Sequence, residues 1–151
     1  MDLEKHIKII YENTYLDKNI NFFNLWQNVF QKIYPNKKPN FNDPGWLTRI
    51  NKSYYLCKYF IESKTLDGSF LECGVFKGFS SLLLITLAKK IENFKIENYF
   101  LVDSFEGLSE ILEEDKPDNK KTFQNQKGNL KANQEEVEKI FRESNNVNII
   151  K

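Results

Sequence analysis

The stretch Gly68-Ser69-Phe70-Leu71-Glu72-Cys73-Gly74-Val75-Phe76-Lys77-Gly78-Phe79-Ser80 decides the fold. Ser69 to Glu72 reads as a short strand, which Gly74 and Gly78 break. The apolar run Leu82 to Ala88 reads as a helix. Strand, glycine-bearing turn and helix in succession open a βαβ unit. In open α/β sheets ligands sit in the crevice at the carboxyl ends of such strands. Glu72 lies at that edge, beside two glycines that let a ligand approach the backbone.

Downstream, Tyr99-Phe100-Leu101-Val102 is an apolar run without alternation and ends at Asp103. It suits a parallel strand buried on both faces. Ser104 to Gly107 leaves it as a turn, and residues 108–114 read as a short acidic helical turn. The polar stretch 115–129 reads as an exposed, mobile loop. Asn133 is placed as the N-cap of a helix over 134–143, with Glu136 at the capping-box position. Val147-Asn148-Ile149-Ile150 reads as a third strand. Three strands with helices between them make half of a doubly wound sheet, unfinished after Ile150, so the expectation is a fragment of a longer protein, with a complete but unusually small α/β unit as the alternative.

Upstream, apolar residues recur at helical spacing over 3–15 and again over 20–34, with a break near Asp17-Lys18-Asn19. The second stripe, Phe22, Trp26, Val29, Phe30 and Ile33, is expected to pack on the main domain rather than form a lid or dimer surface. Residues 34–46 hold Pro35, Pro39, Pro44 and Gly45 and read as a linker. A helix over 47–62 carries Ile50, Tyr54, Cys57 and Ile61 on one stripe, and Thr65 to Gly68 is a turn. The expected organisation is α/β: an N-terminal helical segment and linker over 1–45, then a partial Rossmann-like domain over 46–151.

A chain of 151 residues has room for one domain with a substantial core. The net charge of +1 leaves no broad field for nucleic acid or an acidic membrane. No run of apolar residues is long enough for a transmembrane helix. The start, Met1-Asp2-Leu3-Glu4, is not a signal peptide. Cys57 and Cys73 form no metal-binding spacing and read as reduced thiols of a cytoplasmic protein. His6 falls on the Lys-rich side of the first helix, and the consecutive Glu113-Glu114-Asp115 read as a solvated run rather than a metal cluster.

A strand-end acid about 25 residues beyond a glycine turn is placed to accept hydrogen bonds from ribose hydroxyls. The dinucleotide fingerprint needs a glycine where this chain has Phe76, which argues against close pyrophosphate packing. What remains suits a ribose-bearing cofactor without phosphates and with a cationic portion. S-adenosylmethionine fits: Glu72 offsets its positive charges, and backbone N–H groups near Gly78 with the Ser80 hydroxyl meet its carboxylate. Asp103 would take the ribose, and Phe105 would either cover the adenine or join the core.

The segments F-L-E-C-G-V-F-K-G-F-S and Y-F-L-V-D-S-F-E-G-L resemble the macrocin O-methyltransferase family of the TylF/MycF type. These are class I S-adenosylmethionine-dependent methyltransferases. Glu72, Gly74, Val75 and Gly78 match the first family segment; Asp103, Ser104, Phe105, Gly107 and Leu108 match the more specific second one. Arg49-Ile50 is similar to an upstream family segment, and the similarity spans about residues 46–151. Ser109 stands where the family has proline. The resemblance implies methyl transfer to a hydroxyl of a sugar or sugar-bearing small molecule, by in-line attack on the sulfonium methyl. It also implies a divalent metal such as Mg, whose carboxylate ligands would lie beyond Lys151. Two alternatives stay open: a truncated, non-catalytic nucleoside-binding or protein-interaction domain, and a nicotinamide-binding oxidoreductase fragment. An unfinished sheet edge and aromatic N-terminal helices point to a homo-oligomer.

Overall fold

The structure is a computed structural model that describes residues 10–41, 43–110, 112 and 127–151. His6, most of the first expected helix, the run Glu113 to Asp115 and most of the loop 115–129 lie outside the described residues.

Residues 10–12 are helical, but the helical period does not continue to Tyr15 as the sequence suggests. Instead β1 (Tyr15–Asp17) and β2 (Ile20–Asn21) form a small antiparallel hairpin. The break at Asp17-Lys18-Asn19 is its turn. Helix α1 (Phe22–Ile33) starts directly after it, with the Asn21 side chain accepting the Asn24 N–H at 2.9 Å. That bond satisfies one of the orphan donors of the first turn.

Helix α2 (Pro44–Glu62) begins three residues earlier than the 47–62 expected. Proline at the first helical position lacks only an N–H that would have no intrahelical partner anyway. Asp43 caps the turn by accepting the Gly45 N–H at 2.8 Å. Pro44-Gly45, which reads as linker, is therefore a helix start. A single 3-10 turn (Ser63–Thr65) ends α2.

The sheet follows. Strand β3 (Phe70–Cys73) is shifted one residue from the expected 69–72, while β4 (Tyr99–Val102) and β5 (Val147–Ile150) fall where the apolar runs place them. The order is β3-β4-β5, all parallel, with Phe70 opposite Tyr99 and Tyr99 opposite Val147. Helix α3 (Phe79–Ala88) links β3 towards β4, and α4 (Gln134–Phe141) precedes β5. Asn133 caps α4, accepting the Glu135 N–H at 2.9 Å and the Glu136 N–H at 3.4 Å.

Burial alternates along the strands. Tyr99 and Leu101 are buried, while Phe100 and Val102 are half-buried. Leu71 is 61% exposed and Ile150 45%. Strand β4 is thus fully covered on one face only, not on both, because the described helices cover one side of the sheet. On that side α3 is apolar around its whole circumference, with Leu82 to Ile85 and Leu87 buried. A helix of that kind needs partners on opposite sides. The sheet supplies one and α1 the other, where Trp26 meets Phe79 edge-on at 5.7 Å between ring centroids. The α1 stripe is therefore core, and Phe22, Trp26 and Phe30 are at most 1% exposed.

Candidate functional site

The site begins where β3 ends. The Gly74 N–H still pairs with the Val102 carbonyl at 2.9 Å, and the chain then turns so that the Gly78 N–H reaches the Val75 carbonyl at 2.9 Å. Three residues of this turn have left-handed backbone: Gly74 at φ 90°, Phe76 at 51° and Gly78 at 78°. The two glycines serve different ends. A Cβ on Gly78 would lie 3.0 Å from Phe141 Cε2 and 3.6 Å from Val137 Cγ1, so its bare backbone lets α4 close against the turn. A Cβ on Gly74 would meet nothing within 4 Å, so this glycine faces open space. Val75 between them is buried at 3% exposure and anchors the turn in the core.

Phe76 takes a conformation that costs a non-glycine residue about 1–3 kcal/mol. The structure holds it there through Asp103. One carboxylate oxygen of Asp103 accepts the Phe76 N–H at 2.7 Å, and the other accepts the Phe105 N–H at 2.7 Å. Phe105 is itself left-handed, at φ 57°. Asp103, at the carboxyl end of β4, therefore fastens the turn after β3 to the turn after β4. A carboxylate offers roughly four acceptor directions, so two remain for a ligand.

Ser104 is exposed, and its Oγ accepts the Glu106 N–H at 3.3 Å. Phe105 is 4% exposed and belongs to the core; the residue also borders a cavity of about 760 Å³. Leu108 and Gly128 close this cavity, joined by a backbone hydrogen bond of 2.9 Å from the Gly128 N–H. Gly107 makes that approach possible, because a Cβ there would lie 2.5 Å from the Asn129 carbonyl oxygen. Residues 108–110 are not helical; the rest of the expected acidic turn lies largely outside the described residues.

Glu72 is half-buried under the start of α3 and accepts hydrogen bonds from both the Ser80 and Ser81 hydroxyls. Ser81 is fully buried. The Ser80 hydroxyl proton is thus directed at Glu72, away from any incoming carboxylate. The N-terminus of α3 carries no side-chain cap, since Gly78 occupies the cap position. Its first backbone N–H groups therefore have no side-chain acceptor.

The sequence brings Glu72, Gly74, Val75, Gly78, Ser80, Asp103, Ser104 and Phe105 to one edge of the sheet, and the structure assembles them there. It adds Ser81, unremarked in the sequence because it sits inside an apolar helix. It also adds Phe76, whose amide is part of the bridge although its ring type carries no such signal. Among the described residues no group of three or more His, Cys, Asp or Glu side chains is placed to hold a metal.

A parallel sheet in the order β3-β4-β5, with a glycine turn after β3 and an acid at the end of β4, has the arrangement of half a Rossmann-like fold. The model of the macrocin-O-methyltransferase (TylF) family matches residues 49–148, well over half of the chain. The chain belongs to that family, and so to the methyltransferases. No curated protein and no solved structure matches it significantly.

Proposed function

We propose that this chain forms the cofactor-binding half of an S-adenosylmethionine-dependent O-methyltransferase that acts on a hydroxyl of a sugar or sugar-bearing small molecule. The observation that carries it is the Asp103 bridge: a strand-end carboxylate fixed beside an open glycine turn, with two acceptor directions free.

The residues fit the cofactor. Gly74 leaves the space a nucleoside needs against the backbone. Asp103 accepts ribose hydroxyls with its free lone pairs. The uncapped amides of α3 meet the carboxylate, and Glu72 supplies negative charge nearby, held in place by the Ser80 and Ser81 hydroxyls. When bound, S-adenosylmethionine supplies a methyl group made electrophilic by its sulfonium. The chain's own contribution is orientation: both turns are locked before any ligand arrives, so little ordering remains to be done on binding. No helix among the described residues is long and apolar enough to cross a membrane. Two free thiols and this cofactor chemistry suit a cytoplasmic protein, and the exposed Leu71 and Ile150 suit a homo-oligomer.

Calorimetric titration with S-adenosylmethionine tests this, with NADH as the comparison and Gly74→Val as the variant that fills the open side of the turn. Saturable S-adenosylmethionine binding, weakened at least about tenfold in the variant, is the expected result. Binding of NADH in its place, or no binding by a chain shown to be folded by circular dichroism, overturns the reading.

A further inference from the structure

The Phe76 amide donates to Asp103, and Phe76 also lines a second cavity, of about 330 Å³. Its walls are aromatic: Trp26, Phe30, Tyr34, Trp46, Phe76 and Phe79. The rings brace one another. Trp26 stacks on Phe30 at 5.1 Å with 12° between planes, and Trp46 meets Phe30 edge-on at 5.4 Å. The Trp26 Nε1–H is satisfied by Ser53 Oγ at 3.3 Å. The ring contacts brace Trp26, Phe30 and Trp46 against one another, and the one indole N–H buried among them is satisfied.

The rim is cationic. Arg49 and Lys52 line the cavity and are exposed. The Arg49 guanidinium lies 5.1 Å from the Trp46 ring centroid. Lys77 Nζ sits 5.6 Å from the Tyr34 ring and 5.7 Å from the Phe76 ring, and Lys37 Nζ is 5.7 Å from the Tyr34 ring. None of the four pairs with a carboxylate among the described residues; the ion pairs there are Lys127–Glu110 and Lys151–Glu106. Two cations on the cavity lining, with two more against the Tyr34 ring and none paired with a carboxylate among the described residues, stand out in a chain whose net charge is +1. A stack of rings alone is ordinary core. A stack of rings with an open mouth and a fork-shaped guanidinium at its edge has the composition of a ligand site, and 330 Å³ falls at the small end of such sites.

We propose that this cavity binds the acceptor of the methyl group, and that the acceptor is an anionic sugar: a ring seated against the aromatic lining, with a phosphate or carboxylate held by Arg49 and Lys52. The proposal rests on the methyltransferase reading for the word acceptor, but not for the binding itself. Phe76 is then the shared wall between the two ligands, with its backbone fixed by the cofactor side.

Both tryptophans of the chain line the cavity, so intrinsic fluorescence reports on it directly. The test titrates the chain, without S-adenosylmethionine, with glucose 1-phosphate, glucuronate, methyl glucoside and inorganic phosphate. The expected result is saturable quenching by one or both anionic sugars, at least about tenfold tighter than by methyl glucoside or inorganic phosphate, and weakened by salt. Glucose 1-phosphate against glucuronate tells phosphate from carboxylate. Arg49→Gln and Lys52→Gln, both at exposed positions, are expected to weaken binding about tenfold each while leaving S-adenosylmethionine binding unchanged. Equal binding of neutral and anionic sugars overturns the anionic acceptor. Absence of quenching by every probe overturns the site, even if S-adenosylmethionine binds. Sugar binding without S-adenosylmethionine binding would preserve the site and overturn the cofactor reading instead.

Discussion

Asp103 shows how one side chain can set the geometry of two turns. Each of its oxygens holds an amide whose residue is left-handed and is not glycine. Asn at this position keeps only one acceptor oxygen. Asp103→Asn is expected to cost about 1–3 kcal/mol, read as a shift in the urea midpoint. An unchanged midpoint would mean that the turns hold themselves. The two glycines are expected to separate. Gly78→Ala strains the backbone and pushes on Phe141, so stability falls by about 1–3 kcal/mol. Gly74→Ala meets no atom, so its stability cost is backbone strain alone, about 1–2 kcal/mol, and its further effect appears in ligand affinity. The cysteines divide similarly. Burial pushes the Cys57 thiol up to about 12, whereas Cys73 is exposed. Iodoacetamide at pH 8 is expected to alkylate Cys73 in the native chain and Cys57 only after unfolding, as peptide mass mapping would show.

At the scale of elements, packing and capping decide what propensity leaves open. Trp26 joins α1 to α3, and Trp26→Ala is expected to cost about 3–5 kcal/mol in chemical unfolding. Asn133→Ala removes the α4 cap and is expected to cost about 1 kcal/mol. The strands of the parallel sheet were legible because each is a mainly apolar run marked off by Gly74 after β3, Asp103 after β4 or the polar pair Asn145-Asn146 before β5. The hairpin was not, because Tyr15 falls on the helical period of the residues before it and the break near Asp17-Lys18-Asn19 reads equally as the end of a helix. The start of α2 was hidden for the opposite reason: Pro44-Gly45 carries a loop signal, and only Asp43 before it marks a cap. In the site, Asp103 was legible as a strand-end acid. Its amide partners were not, since no residue type announces a left-handed phenylalanine. The aromatic cavity was not legible either, since it joins α1, α2 and the glycine turn through tertiary packing.

For the molecule as a whole, buried titrating groups set the alkaline limit. Cys57 holds its proton when folded to about 12 and releases it from about 9 when unfolded, and burial also raises Tyr11, Tyr34 and Tyr99. The sign follows from which state keeps protons. Stability from Cys57 is complete below about pH 9 and is lost as pH rises from there towards 12. Urea midpoints at pH 8 and pH 10.5 are expected to fall in that order, and Cys57→Ala is expected to flatten the difference while lowering both. A steeper fall in the variant would show that Cys57 is not the group responsible.

The register of the sheet also governs how fast the chain reaches this state. The bridge from Phe76 to Asp103 spans 27 residues, and the bonds from Asn146 to the Ile96 and Glu97 carbonyls span about 50. Such loops must close before a parallel ladder returns any enthalpy, whereas helices need only neighbours. The helical layer is thus positioned to form early and the sheet to close around it late. Stopped-flow refolding would then show far-ultraviolet ellipticity recovering ahead of protection at the β4 amides. The Asp103 bridge, requiring both strand ends in place, would leave the folding rate almost untouched and act as a brake on unfolding.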